Sequence, residues 1–337
     1  MTNLTETNMA NAVKTFYERR LLMRAVPRLV HGRWGERATV NKYNALEWRR
    51  WESLSAVVSA LTEGTTPSEQ SAPTVTQVTA TPSWYGAWIG YSDELNFTIY
   101  DPLLTEISGV LGEQAGVSFD TLIRNDLTDN ASSRFSGGQS ARTSLDAPEH
   151  DIDYQDWLLA YATLQANNAL PVDGEYFICI IHPHTWASLS NDPTFVNLFI
   201  DGSPRDNSNP LRTGYLGDIM MCRIYISSNA REYANGGVGS TDVYSMLFIG
   251  KESYGVSGIA SFLPDNVDMG GPDGKPLTGA GVSASPVEII AKQAGSAGSD
   301  DPLNQRATVG WKGALATNVL NSAFIVDLEH TNLFSDA

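Results

Sequence analysis

Two histidines separated by one proline, His182-Pro183-His184, are the sharpest chemical signal in this chain of 337 residues. They follow the apolar run Glu175 to Ile181, which has the length of a strand, and catalytic groups often sit at strand ends. Imidazole is also the commonest metal ligand. A catalytic metal needs a third ligand and often a fourth. Asp192 could reach, but no His-Glu-x-x-His run and no cysteine-rich partner lies nearby. The plainer reading is a strand-end histidine that caps a turn, with a surface histidine beside it. A metal-dependent hydrolase using His182 and His184 is kept as the alternative function.

The other motifs give less. Gly250-Lys251 and Gly274-Lys275 lack the earlier glycine of a phosphate-binding loop, because Ser245 and Met269 stand there. Gly279, Gly281 and Ala284 match a dinucleotide fingerprint loosely, in a glycine-rich loop rather than between strand and helix. Gly255-Val256-Ser257-Gly258 has the wrong spacing for a nucleophile elbow. Asp300-Asp301 and the pair Asp151 and Asp153 read as loop solvation or helix caps. Cys179 sits among isoleucines as inert core. The sequence therefore assigns no catalytic residue, no metal ligand and no cofactor.

Charge is the next signal. The chain carries 22 basic and 38 acidic residues, a net charge of −16. Such a balance opposes strong nucleic-acid binding, which depends on clustered Lys and Arg. The distribution is uneven. Residues 14–50 hold ten basic side chains, among them Arg19, Arg20, Arg24, Arg49 and Arg50, against Glu18, Glu36 and Glu47. A basic segment on an acidic body can be a solvated helix face, a nucleic-acid contact, or a contact with the acidic body of another copy; the last reading is preferred. Hydrophobic residues at 42% exclude global disorder. No run approaches 18 consecutive apolar residues, so no membrane-spanning helix is expected. The first residues show no signal peptide, and two cysteines in apolar contexts suit a reducing compartment. Both points count against an extracellular β-rich binding module.

Several elements can be read from periodicity. Met9, Val13, Phe16, Tyr17 and Leu21 recur at helical spacing over residues 8–25, and Pro27 ends that helix. Pro73 to Pro82 is rich in β-branched residues and reads as a strand that buries little. An earlier strand around 38–48 pairs with it, making a long projecting hairpin or loop that needs a partner. Asp101-Pro102 opens a helix running to about 129, some 40 Å at about 1.5 Å per residue. Its stripe is Leu104, Ile107, Leu111, Ala115 and Leu122, with Phe119 and Ile123 alongside. Gly109, Gly112 and Gly116 cost it roughly 1 kcal/mol each and imply either a close neighbour or a bend. A second helix over 152–168 presents Tyr154, Leu158, Tyr161 and Gln165 on one face, with Trp157 and Leu164 adjacent. Further strands are expected near 175–182, 218–227, 243–250, 286–293 and 323–329, and short helices at 184–190 and 192–200. Long loops over 201–213, 230–241 and 264–284 complete an α+β pattern without repeated βαβ units.

The run Asp301-Pro-Leu-Asn-Gln-Arg-Ala-Thr-Val-Gly-Trp-Lys312 closely resembles one near the C-terminus of a family of major capsid proteins of tailed bacteriophages. Phe16 to Leu22, Ala25-Val26-Pro27, Leu61 to Gly64, Thr79-Ala80-Thr81, Ile180 to Pro183 and Gly250 to Val256 resemble other segments of that family in the same order. The resemblance implies an α+β Hong Kong 97-type capsid fold. It would comprise an N-terminal arm (1–35), an extended β-hairpin loop (36–92) and a peripheral domain with a spine helix (93–175). A mostly axial domain (176–300) and a C-terminal return to the peripheral domain (301–337) would follow. It implies a structural subunit, not an enzyme, that assembles with itself into hexamers and pentamers of an icosahedral shell around double-stranded DNA, without sequence-specific binding and without a membrane. The subunit would be assembled in the host cytoplasm and reside in the virion. Portal, scaffolding and decoration proteins are the further partners implied. The assembly and structural candidates are Arg19, Arg20, Arg24, Arg49, Arg50, Glu63, Arg306 and Trp311, with Arg306 expected to pair an acidic group and Trp311 to bury against the peripheral domain.

Overall fold

The computed structural model describes residues 30–38, 45–52, 54–98, 103–172, 174–195, 218–219, 221–257, 287–292, 302–303 and 305–335. The helix expected over 8–25, the Asp101-Pro102 helix start, most of 192–200, the loops at 201–213 and 264–284, and Asp300-Asp301 lie outside the described residues. Strands β1 (Glu36–Ala38), β2 (Leu46–Trp51), β3 (Val75–Ala80) and β4 (Ser83–Ser92) precede helices α1 (Asp93–Thr98) and α2 (Leu103–Asn130). Next come β5 (Ser132–Phe135), α3 (Tyr154–Ala166), β6 (Phe177–Ile181) and α4 (Pro183–Leu189). Strands β7 (Asp218–Ile219), β8 (Cys222–Ile226), β9 (Glu232–Tyr233), β10 (Val243–Ile249) and β11 (Tyr254–Ser257) follow. The last are β12 (Val287–Lys292), β13 (Arg306–Leu315), β14 (Thr317–Val319) and β15 (Ile325–His330).

The largest sheet runs β5-β15-β10-β6-β8-β7, with β9 beside β10. Helices cover both of its faces, which is why β6 and β10 are apolar without alternation. Ile178, Ile180, Leu247 and Ile249 join Leu111, Ala115, Phe119, Ile123 and Leu127 of α2 in one core. Phe177, Cys179, Ile181, Met246 and Phe248 join Trp157, Ala160 and Leu164 of α3 in the other. The α3 stripe corrects the sequence reading. Ala160, not Leu158, faces the core, and Leu158 points to solvent. The small side chain lets the helix sit close to the sheet.

A second sheet, β12-β13-β4, packs on α2, as does β14. Gly109, Gly112 and Gly116 are buried on that helix, which continues unbroken for 28 residues. The expected bend is therefore absent from the described helix. β2 and β3 form the antiparallel hairpin expected from the sequence, in the register Leu46↔Ala80 to Trp51↔Val75. The described part of its first strand is Leu46–Trp51, and residues 39–44 of the expected strand lie outside the described residues. Residues 83–92, read as part of the projecting loop, instead form the edge strand β4 of the second sheet. Their glycines hid the strand pattern. The run over 306–315 is also a strand, β13, paired along its whole length with β4. The C-terminal β15 lies in the large sheet, between β10 and β5.

Gly310 marks a close approach of β13 to β4. A Cβ there would stand 2.8 Å from Trp88 Cβ and 2.9 Å from the Ala87 carbonyl oxygen, and the backbone atom cannot yield. Gly310→Ala is therefore expected to lower stability by about 1–3 kcal/mol, read as a shift in the urea midpoint at unchanged slope.

Candidate functional site

The most heavily bonded side chain of the body is Asp120, fully buried at mid-helix in α2. The backbone N–H groups of Val30 and His31 donate to its Oδ1 at 2.7 and 2.8 Å. His31 Nδ1 meets its Oδ2 at 2.9 Å, and Asn229 Nδ2 donates to the same oxygen at 2.8 Å. The buried Tyr254 hydroxyl donates to the His31 carbonyl at 2.5 Å. Burial alone would raise the Asp120 carboxyl. The hydrogen bond and charge of His31, with the bonds from Asn229 and the His31 backbone, outweigh it and hold the carboxyl below its ordinary value. The chain entering from the basic N-terminal segment is thus fixed to the long helix at residues 30–31. Sequence reasoning missed this site. Its only local signal is an ionisable residue directly after Phe119 in the apolar stripe.

The candidate assembly residues are dispersed. Trp311 is buried, its ring 5.4 Å from Phe119, and its Nε1 donates to Gln114 Oε1 at 3.3 Å. Arg306 opens β13 on the surface, opposite Ser92. Arg49 pairs with Glu47 at 3.5 Å. Arg50 pairs with Glu52 at 2.7 Å, and its Nη1 donates to the Leu320 carbonyl at 3.5 Å. Both arginines contact their own hairpin. Glu63 lies in an exposed turn closed by Thr65 N–H to the Thr62 carbonyl, with Gly64 at φ +79° supplying the left-handed position. Arg19, Arg20 and Arg24 lie outside the described residues.

The histidine pair is structural. His182 Nδ1 accepts from the His184 N–H at 3.2 Å and so caps α4. Burial, then the neighbouring His184, push the His182 imidazole down to about 4, which keeps that nitrogen free to accept. His184 stacks on Phe334 at 4.7 Å and meets the Tyr244 hydroxyl at 3.1 Å. Asp192 accepts from the N–H groups of Tyr154 and Thr194. Among the described residues, no group of three or more His, Cys, Asp or Glu side chains is placed to hold a metal ion.

One buried acid sets a pH dependence. Asp327 on β15 is bonded by the Ser245 hydroxyl and neighbours Glu329, which Arg142 grips at 2.5 and 2.7 Å. Burial first, then the Glu329 charge, push Asp327 up to about 8. Unfolded, it would titrate near 4. The folded chain thus holds a proton that the unfolded chain releases between those values, so this residue makes stability fall as pH rises from about 4 to 8.

Two outcomes are expected. Asp120→Ala should cost about 3–5 kcal/mol in chemical denaturation, because it strands buried donors around a lost charge. Asp327→Asn should flatten the pH profile of the unfolding midpoint between pH 5 and pH 8 and gain about 1–3 kcal/mol over the wild type at the upper end.

A family model described as phage capsid protein matches residues 75–327, more than half of the chain. No curated protein matches the sequence. Among solved structures, the capsid of Ralstonia phage GP4 is similar at 14% identity and a TM-score of 0.61, covering 89% of this chain and 87% of that one. The capsid of cyanophage P-SCSP1u is similar at 13% identity and 0.60, covering 89% and 87%. The capsid of cyanophage Pam1 is similar at 16% identity and 0.59, covering 92% of each chain.

Proposed function

The chain belongs to the phage capsid protein family, and from that premise we propose that it works as the repeating subunit of an icosahedral head shell around double-stranded DNA. The family and fold are those of capsid structural proteins, not enzymes. In this reading α2 with the β12-β13-β4 sheet forms a peripheral domain, and the large sheet with α3 and α4 forms most of an axial domain. The N-terminal arm and the β2–β3 hairpin reach neighbouring copies in hexamers and pentamers. Portal, scaffolding and decoration proteins complete the proposed set of partners, with assembly in the host cytoplasm.

The observation that carries this reading is the tip of the hairpin. Leu54, Val57, Val58 and Leu61 are exposed on an extension that pairs with no strand among the described residues. A two-stranded projection cannot bury itself, so a neighbour has to cover it. Charge supports the same reading. A basic N-terminal segment faces an acidic remainder, and ion pairs worth about 0–1 kcal/mol each become substantial when a closed shell repeats them. An acidic lining also leaves packaged DNA unbound.

The tether at Asp120 divides arm from body. Removing residues 1–28 is expected to leave the unfolding midpoint unchanged while abolishing shell formation in electron micrographs. Removing residues 1–31 should lose assembly and also lower the midpoint, because Asp120 then lacks three of its bonds. Equal midpoints for the two truncations would contradict this division.

A further inference from the structure

Arg124 on α2 and Arg231, just ahead of β9, converge on one amide oxygen. Arg124 Nε and Nη2 donate to Asn125 Oδ1 at 3.2 and 2.8 Å, and Arg231 Nη1 donates to the same atom. An amide oxygen has two lone pairs, so three donors overfill it. Arg124 Nη1 turns the other way, to the carbonyl and the Oδ1 of Asn229 at 2.9 and 3.2 Å. All of these acceptors are neutral. Among the described residues neither guanidinium has a carboxylate partner. Glu329 is held by Arg142, and Asp120 by His31 and Asn229.

The pair is fixed in place by the fold. Asn229 is held on Asp120 through its Nδ2 at 2.8 Å. The Arg231 carbonyl accepts from the Ser245 N–H at 3.0 Å, and its guanidinium lies 4.8 Å from the Tyr233 ring centroid. Both arginines are half-buried, so their heads still meet solvent. Arg231 spends only one of the five N–H donors of a guanidinium. Two positive charges side by side also repel each other. Burial first, then the Arg231 charge, hold Arg124 below its ordinary value. An anion seated against both heads would relieve that repulsion and take up the spare donors. A phosphate presents oxygens to two forks at once, whereas the two oxygens of a side-chain carboxylate satisfy one.

We propose that Arg124 and Arg231, set by Asn125 and Asn229, form a phosphate site that takes a backbone phosphate of the enclosed double-stranded DNA or a free phosphate ion. The DNA source rests on the shell reading above; the site itself does not. One such contact per copy is compatible with a net charge of −16. It engages a single phosphate and does not supply the clustered Lys and Arg of a surface that grips nucleic acid.

The test is phosphorus-31 NMR on the whole chain in chloride buffer of fixed ionic strength. The probes are inorganic phosphate and dimethyl phosphate, a diester like the nucleic-acid backbone. The wild type should broaden the line of at least one probe saturably. Arg231→Gln should weaken that binding by about tenfold or more, because it removes a charged donor fork. Lys251→Gln, an exposed cation elsewhere, should leave it unchanged. In chloride the unfolding midpoint of Arg231→Gln should not fall, since a like charge beside Arg124 is gone. Binding of dimethyl phosphate assigns the site to the DNA backbone; binding of inorganic phosphate alone assigns it to the free ion. No saturable broadening with either probe would overturn the site, as would equal losses in Arg231→Gln and Lys251→Gln. Lost binding with a lowered midpoint would also overturn it, by making Arg231 a residue of the fold. Arg231→Gln that loses shells while neither probe binds the wild type would give the pair to a carboxylate of a second copy, overturning the site and leaving the shell reading intact. A wild type that binds phosphate yet never forms shells would uphold the site and overturn the shell reading alone.

Discussion

A carboxylate buried in the middle of a long helix must be surrounded by donors, and Asp120 is satisfied by groups from two distant stretches of chain. The backbone at 30–31 approaches it from the N-terminal side, and Asn229 reaches it from the turn after β8. His31 then passes the constraint on, because its carbonyl accepts from Tyr254 at the start of β11. β1 follows a few residues later and runs parallel to β11, so the entering chain is locked to the body twice within nine residues. The described chain therefore starts from a point fixed to the long helix.

The long helix is the common floor for the rest. One side of it lies under the large sheet through Leu111, Phe119 and Ile123, and β13 rests on it through Trp311. The result is a body with two well-packed cores, beside which the aliphatic hairpin tip stays exposed. Large exposed apolar side chains lie on the body as well as on the hairpin, Phe97 and Leu170 beside Val58 and Leu61.

The sequence revealed elements whose neighbours are near in the chain or whose pattern is uniform. β6 was visible because both of its faces are covered, so Phe177 to Ile181 are all apolar. The hairpin was visible in the β-branched run before Ala80. Other features depend on contacts that no local pattern records. Asp120 and His31 are 89 residues apart and look unremarkable separately. β4 and β13 carry Gly86, Gly90, Gly310 and Gly313, which read as breakers until their pairing shows two backbones crossing at close range. In α3 the eye goes to Leu158 by size, whereas geometry selects Ala160. His182 and His184 looked like chemistry because of their type, and they serve as a helix cap and a stacked ring.

The central claim is that this body is made to associate with copies of itself. Negative-stain electron microscopy combined with native mass measurement on the purified chain tests it most directly. The account predicts closed shells, tubes, or rings of five and six subunits, with masses at multiples of the 36.6 kDa chain. A monomer that persists across protein concentration and salt, and also in the presence of the other head proteins, would contradict it.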